Sequence, residues 1–247
     1  MNEDNNLISG IFNYCDRWCE RCIYTKRCAV YAQTENIDYS EEGNDLETFF
    51  AKLKDILEKT HKILDEKLRE IYPEGLPENL VEEYEQKSAE IEKKIDSNQL
   101  YLSGKEYSAL VRNWFESQKE NEKNGDDEIN YAYNFDTKKN NERDKELLSE
   151  LIEIISFYQY FIEIKIKRAL FDKYEFGEDD DFKENILTTQ KLILLAITRS
   201  LAAWEILYDL MNQPDGVLTI MVHLEKLKHN AELTFNEAIK FKRPYFD

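Results

Sequence analysis

Sites for turns are scarce in this chain: seven glycines and four prolines are all that punctuate 247 residues. Sandwiches and barrels need a turn every few residues, and glycine and proline supply the dihedral angles those turns require. The sequence instead is rich in Leu, Ile, Glu and Lys, which lose little freedom in a helix. It predicts an all-α protein. Its 33 basic and 51 acidic residues leave a formal charge of -18, which repels phosphate backbones and anionic bilayers. Nucleic acid is thereby disfavoured as a partner.

Apolar periodicity marks the helices. Leu46, Phe49, Phe50, Leu53, Ile56, Leu57, Leu64 and Ile71 recur at spacings of three, four and seven, giving an amphipathic helix over 44–71 with Asn44 or Asp45 as its cap. Pro73 to Pro77 end it, and a charged segment over 79–97 carries a thinner stripe of Leu80, Tyr84, Ile91 and Ile95. A short helix over 104–118 follows, with Tyr107, Leu110, Val111, Trp114 and Phe115 on one face. Residues 119–142 lack periodicity and read as an exposed, flexible loop.

Residues 143–173 are apolar on two faces, one through Leu151, Ile155, Ile162 and Ile166, the other through Ile154, Phe157, Phe161 and Ile164. Such a helix requires neighbours on both sides. The acidic stretch 178–181 suits the positive end of a helix over 183–212, and a last helix covers 217–240 with Phe235 inward. The expectation is an antiparallel helical bundle of about six helices over 41–247, preceded by a cysteine segment over 1–40.

The run Leu192 to Met211 has the length of a membrane span, but Arg199, Glu205 and Asp209 interrupt it, as suits a buried core helix. With no basic stretch and apolar core at the N-terminus to direct export, the expected setting is the cytoplasm and no membrane is expected as a partner. Phosphate-binding glycine loops and the serine-hydrolase elbow are missing from the sequence.

All four cysteines fall in one string, NYCDRWCERCIYTKRC: Cys15, Cys19, Cys22 and Cys28, spaced C-x3-C-x2-C-x5-C. In a reducing compartment this pattern points to a metal site rather than two disulfides. Structural zinc usually uses two C-x2-C knuckles separated by a longer finger, whereas iron–sulfur clusters often draw thiolates from one compact stretch. Arg17, Arg21, Lys26 and Arg27 against Asp16 and Glu20 make the stretch basic, which would offset thiolate charge and lower thiol pKa values. In an unbroken helix Cys15 and Cys22 would stand ~10 Å apart along the axis, so a shared cluster requires local unwinding. Phe12, Tyr14, Trp18, Tyr24 and Tyr31 could shield it from water.

The triplet Cys15, Cys19, Cys22 is similar in spacing to that of radical-SAM enzymes, although their alternating strand and helix pattern is missing here. The segment CERCIYTKRC resembles the C-x2-C-x5-C clasp of RecB-like nucleases, which implies a 4Fe-4S cluster completed by an upstream cysteine, the place Cys15 would take. That likeness covers ten residues and brings no nuclease core. The chain as a whole looks like uncharacterised helical bacterial proteins that begin with a YCDRWCERC-type motif.

The preferred expectation is therefore a protein that binds a 4Fe-4S cluster through Cys15, Cys19, Cys22 and Cys28, for electron transfer, redox sensing or structural support, with an unspecified redox or protein partner. The alternative is a non-enzymatic helical interaction module stapled by zinc. A third reading, a ferritin-like dinuclear site, needs two Glu-x-x-His pairs, and Glu58 with His61 is the single pair present.

Overall fold

The computed structural model describes residues 6–35, 46–77, 79–118, 142–177, 179–211 and 213–247. Eight α-helices and three short 3₁₀ turns account for most of them, and no strand occurs among the described residues. The helices are α1 (Ala29–Glu35), α2 (Leu46–Ile71), α3 (Leu80–Asp96), α4 (Gln99–Ser117), α5 (Glu142–Phe176), α6 (Asp180–Leu210), α7 (Asp215–Thr234) and α8 (Asn236–Lys240). Two compact units divide the chain, Met1–Glu90 and Ile91–Asp247.

In the second unit α4, α5, α6 and α7 form a ring, each packed against the next and α7 closing on α4. Pairs across the helices fix their directions. Ser108 meets Gln159 while Gly104 meets Ile166, so α4 and α5 run opposite ways. Ser103 meets His223 while Trp114 lies by Gly216, so α4 and α7 do too. The ring encloses Tyr107, Ile155, Tyr158, Ile162, Ile166, Ile193, Ile197 and Trp204, all with at most 1% exposure.

Local chemistry sets the helix ends. Asn98 Oδ1 accepts the amides of Leu100 at 2.9 Å and Tyr101 at 3.4 Å, which starts α4 five residues before the expected position and buries Leu100 and Tyr101. Asp179 caps α6 through the Asp181 amide at 3.0 Å, in keeping with the acidic stretch read as a cap. Gly177, at φ 55°, terminates α5 in the left-handed conformation that favours glycine. The expected last helix is two: α7 stops at Thr234 and α8 begins at Asn236, with Phe235 buried between them. The expected cap at Asn44 or Asp45 and nearly all of the expected loop, residues 119–141, lie outside the described residues.

Gly104 permits the close approach of α4 to α5. A Cβ there would stand 3.0 Å from Ile166 Cδ1 and 3.7 Å from Glu163 Cα. Gly104→Leu is expected to cost about 1–3 kcal/mol by overpacking, against the gain in helix propensity that Gly→Ala alone would bring. Urea denaturation of the two variants beside the parent checks it. Alongside this contact, Ser108 Oγ donates to the Gln159 carbonyl and Gln159 Nε2 donates to the Ser108 carbonyl, both at 2.9 Å and both buried.

Only one of the two apolar faces expected on α5 is well covered. Leu151, Ile155, Ile162, Ile166 and Leu170 are buried, whereas Ile154, Phe157 and Phe161 are half-buried and Ile164 is exposed. α6 is long and apolar enough to cross a membrane by length and composition, yet most of its apolar window is buried inside the protein. The interrupting Arg199 lies beside the core rather than in it, its Nη1 donating to Tyr158 Oη at 2.6 Å.

At the C-terminal end, buried Arg243 grips Asp247 through Nη2 at 2.8 Å, Nε at 3.1 Å and its own backbone amide at 3.0 Å. The Arg243 hydrogen bonds hold the Asp247 carboxyl below the usual carboxylate range. A lowered folded value means that the charged form stabilises the fold above the ordinary Asp value of about 3.9, and that this contribution disappears as pH falls through the folded value. Asp247→Asn is expected to lower the urea midpoint at neutral pH and to flatten its fall in acid. Midpoints measured across that range give the comparison.

In the first unit α2 forms as its periodicity predicts, but its apolar face lies open. Phe50, Ile56, Leu57, Ile63, Leu64 and Ile71 are each more than half exposed. Ion pairs one helical turn apart support it locally, among them Lys59 with Asp55 and Lys67 with Glu70, both at 2.6 Å.

Candidate metal centre

The cysteine segment is not a continuous helix. Three 3₁₀ turns, Ile11–Asn13, Cys19–Arg21 and Thr25–Arg27, are separated by non-helical residues, so the local unwinding that a shared site requires is present. Cys22 and Cys28 each follow a turn in extended backbone, and the Cys28 carbonyl accepts the Ala32 amide at 3.0 Å at the start of α1. The ends are tied together. The Ile8 amide donates to the Arg27 carbonyl at 2.9 Å, and Arg27 Nε donates to the Asn6 carbonyl at 3.1 Å.

Backbone amides two residues ahead stand by two of the sulfurs. The Tyr24 amide donates to Cys22 Sγ at 3.4 Å; the Arg17 amide favours the charged form of Cys15, whose thiol donates to the Phe12 carbonyl at 3.6 Å. Arg17 turns toward Cys15 in a left-handed conformation, φ 66°, which is uncommon for a residue with a Cβ. Amide donors of this kind stabilise a sulfur that carries negative charge, and they tune a metal held by it. These backbone partners were not legible in the cysteine spacing.

All four cysteines are half-buried, and no disulfide joins them. Cys19 feels Cys15, Cys22 and Cys28 as like-charged neighbours, so the four occupy one locality. Burial raises the Cys15 thiol pKa, outweighing the opposing Arg17 amide and Arg17 charge. Burial, followed by the charges of Cys15 and Glu20, raises Cys19 as well. The expectation that nearby cations would lower the thiol pKa values is thus corrected for these two. Two of the remaining cations have other contacts: Arg21 lies over the Trp18 ring at 4.5 Å, and Arg27 holds Asn6.

The donor set, four thiols with amides directed at two sulfurs, fits a thiolate-bound centre in kind. Their separations as placed do not amount to a coordination sphere: among the described residues no group of three or more His, Cys, Asp or Glu is arranged to hold a metal ion. Trp18 is buried against the segment, while Phe12, Tyr14, Tyr24 and Tyr31 are half-buried.

The one Glu-x-x-His pair lies toward solvent: Glu58 and His61 are exposed on α2, with Glu58 3.9 Å from Lys54. Of the glutamates that interrupt the apolar helices, Glu153 and Glu205 are exposed and Glu163 is half-buried. His223 clasps α4 instead, its Nε2 2.8 Å from the Ser103 carbonyl, and His229 is exposed. On α5, Ser156 and Tyr160 are exposed and half-buried Lys167 reaches Glu92 at 3.4 Å. No protein family, curated protein or solved structure matches the chain.

Proposed function

We propose that Cys15, Cys19, Cys22 and Cys28 hold a 4Fe-4S cluster that serves electron transfer, redox sensing or support of the N-terminal segment. The observation that carries the reading is the confinement of every cysteine in the chain to one unwound stretch, with backbone amides directed at two of the four sulfurs. Four thiolates would close the iron coordination, and the cluster would supply one-electron chemistry or a covalent clasp. The chain's own share is to orient the thiols by its 3₁₀ turns, to donate the Arg17 and Tyr24 amides, and to exclude water with Trp18. An antiparallel helical bundle would then carry the segment in a reducing, cytoplasmic setting.

Zinc is the second reading. It is favoured by the small number of buried side chains, Ile8, Ile11 and Trp18, available to order this segment, because small folds of that kind are commonly stapled by a structural ion. The single substitution Cys28→Ser, assayed for bound metal after anaerobic purification, tests the four-thiolate arrangement. Metal content is expected to fall sharply. Unchanged metal content and unchanged stability would reject a closed four-cysteine site.

A further inference from the structure

A cleft of about 550 Å³ opens in the second unit where the connection between α5 and α6 approaches the start of α8. Its floor is apolar, with Ile186 and Phe235 both buried. Two cations, Lys173 and Lys183, and three carboxylates, Asp179, Asp180 and Glu237, stand exposed on its walls. None of these five forms an ion pair with a described residue. Between floor and rim lies Gln190, 7% exposed. Its carboxamide forms no hydrogen bond with a described residue, yet it is not sealed in the core as the Thr188 and Ser200 hydroxyls are. It opens on the cleft.

A carboxamide without a partner among the described residues and open to the cleft presents donors and an acceptor, so a group offering one acceptor and one donor matches it. A peptide bond offers that pair. Charges of both signs select against a simple anion, which the carboxylates would repel, and against a simple cation, which the lysines would repel. A ligand with an ammonium and a carboxylate satisfies both. The cleft's volume lies within the range of small-molecule sites.

We propose that this cleft binds a short zwitterionic peptide, its termini at the charged walls, its amide at Gln190 and an apolar side chain over Ile186 and Phe235. Calorimetric titration of the full chain with the dipeptide Gly-Leu tests this, beside N-acetylated Gly-Leu, Gly-Leu amide and free leucine. Saturable binding of Gly-Leu is expected, weakened about tenfold or more by blocking either terminus, by Gln190→Leu and by Lys183→Gln. Lys183 is exposed, so its substitution reports on binding even where Gln190→Leu disturbs folding. Several results would overturn the proposal: no saturable heat with Gly-Leu, equal binding of the blocked peptides, unchanged affinity in Lys183→Gln, or free leucine binding as tightly as the dipeptide.

Discussion

Trp204→Ala is expected to destabilise the second unit by about 3–5 kcal/mol, the range for removing a fully buried large aromatic side chain. Trp204 has 0% exposure and stands edge-on to Trp114, ring centroids 5.0 Å apart. Its indole N–H donates to Tyr107 Oη at 3.2 Å, so the residue joins α6 to α4 by packing and by a buried hydrogen bond. Deleting the side chain opens a cavity in the middle of the ring of helices and removes a donor from the Tyr107 hydroxyl, whose pKa burial raises. Trp204→Phe retains most of the packing and loses the hydrogen bond, for an expected cost of about 1–2 kcal/mol. Glu205→Ala, one residue away and exposed, should change stability by less than ~0.5 kcal/mol. Urea denaturation of the three variants separates these cases. Equal midpoints for Trp204→Ala and Glu205→Ala would mean that the core is not centred on this residue.

Removal of the proposed metal is expected to melt residues 6–28 while leaving the ring of α4 to α7 folded. The segment is ordered largely without regular helix, and the apolar side chains it buries are Ile8, Ile11 and Trp18. Its backbone bonds are single turns and the one clasp from Ile8 to Arg27, and isolated turns carry little cooperativity. A chain so lightly packed depends on a cross-link to stay folded, and metal binding free energy is folding free energy in such cases. The second unit has its own buried core and needs no such staple. Hydrogen exchange read at the Ile8, Arg17 and Tyr24 amides, before and after stripping and in the variant with all four cysteines changed to serine, measures the effect. Protection that survives in the serine variant would show that packing alone holds the segment.

Much of the helical architecture was legible because apolar spacing reports which face of a helix is buried. The ends of α5 and α6 fell near their expected places for that reason, and Asp179 supplied the expected acidic cap. The start of α4 was not legible. The apolar face places the start at residue 104, whereas the helix begins at Gln99 and Gly104 is an interior residue whose missing Cβ admits Ile166. The division at Phe235 also escaped notice, since Phe235 continues the apolar stripe of α7 while its backbone leaves the helix. Periodicity named the apolar face of α2 correctly, but a moment along one helix carries no information about what covers that face.

At the candidate centre, spacing identified the four cysteines and the need for unwound backbone. It could not supply the Arg17 and Tyr24 amides, because a hydrogen bond from the main chain leaves no mark in residue identity. Counting charges also gave the wrong direction for Cys15 and Cys19. Arg17 acts as expected on Cys15, but desolvation of a half-buried sulfur is the larger effect. The cleft at Gln190 was invisible for a related reason: its walls come from the α5–α6 connection and the α7–α8 junction, two stretches distant in sequence.

The central claim is that the four cysteines bind a cluster, and its most direct test is iron, zinc and acid-labile sulfide analysis of anaerobically purified protein together with its visible spectrum. About four irons and four sulfides per chain, in a brown protein that bleaches on reduction, is the predicted result. One zinc ion without sulfide in a colourless protein would contradict the cluster and leave a structural staple, and the absence of bound metal would contradict both.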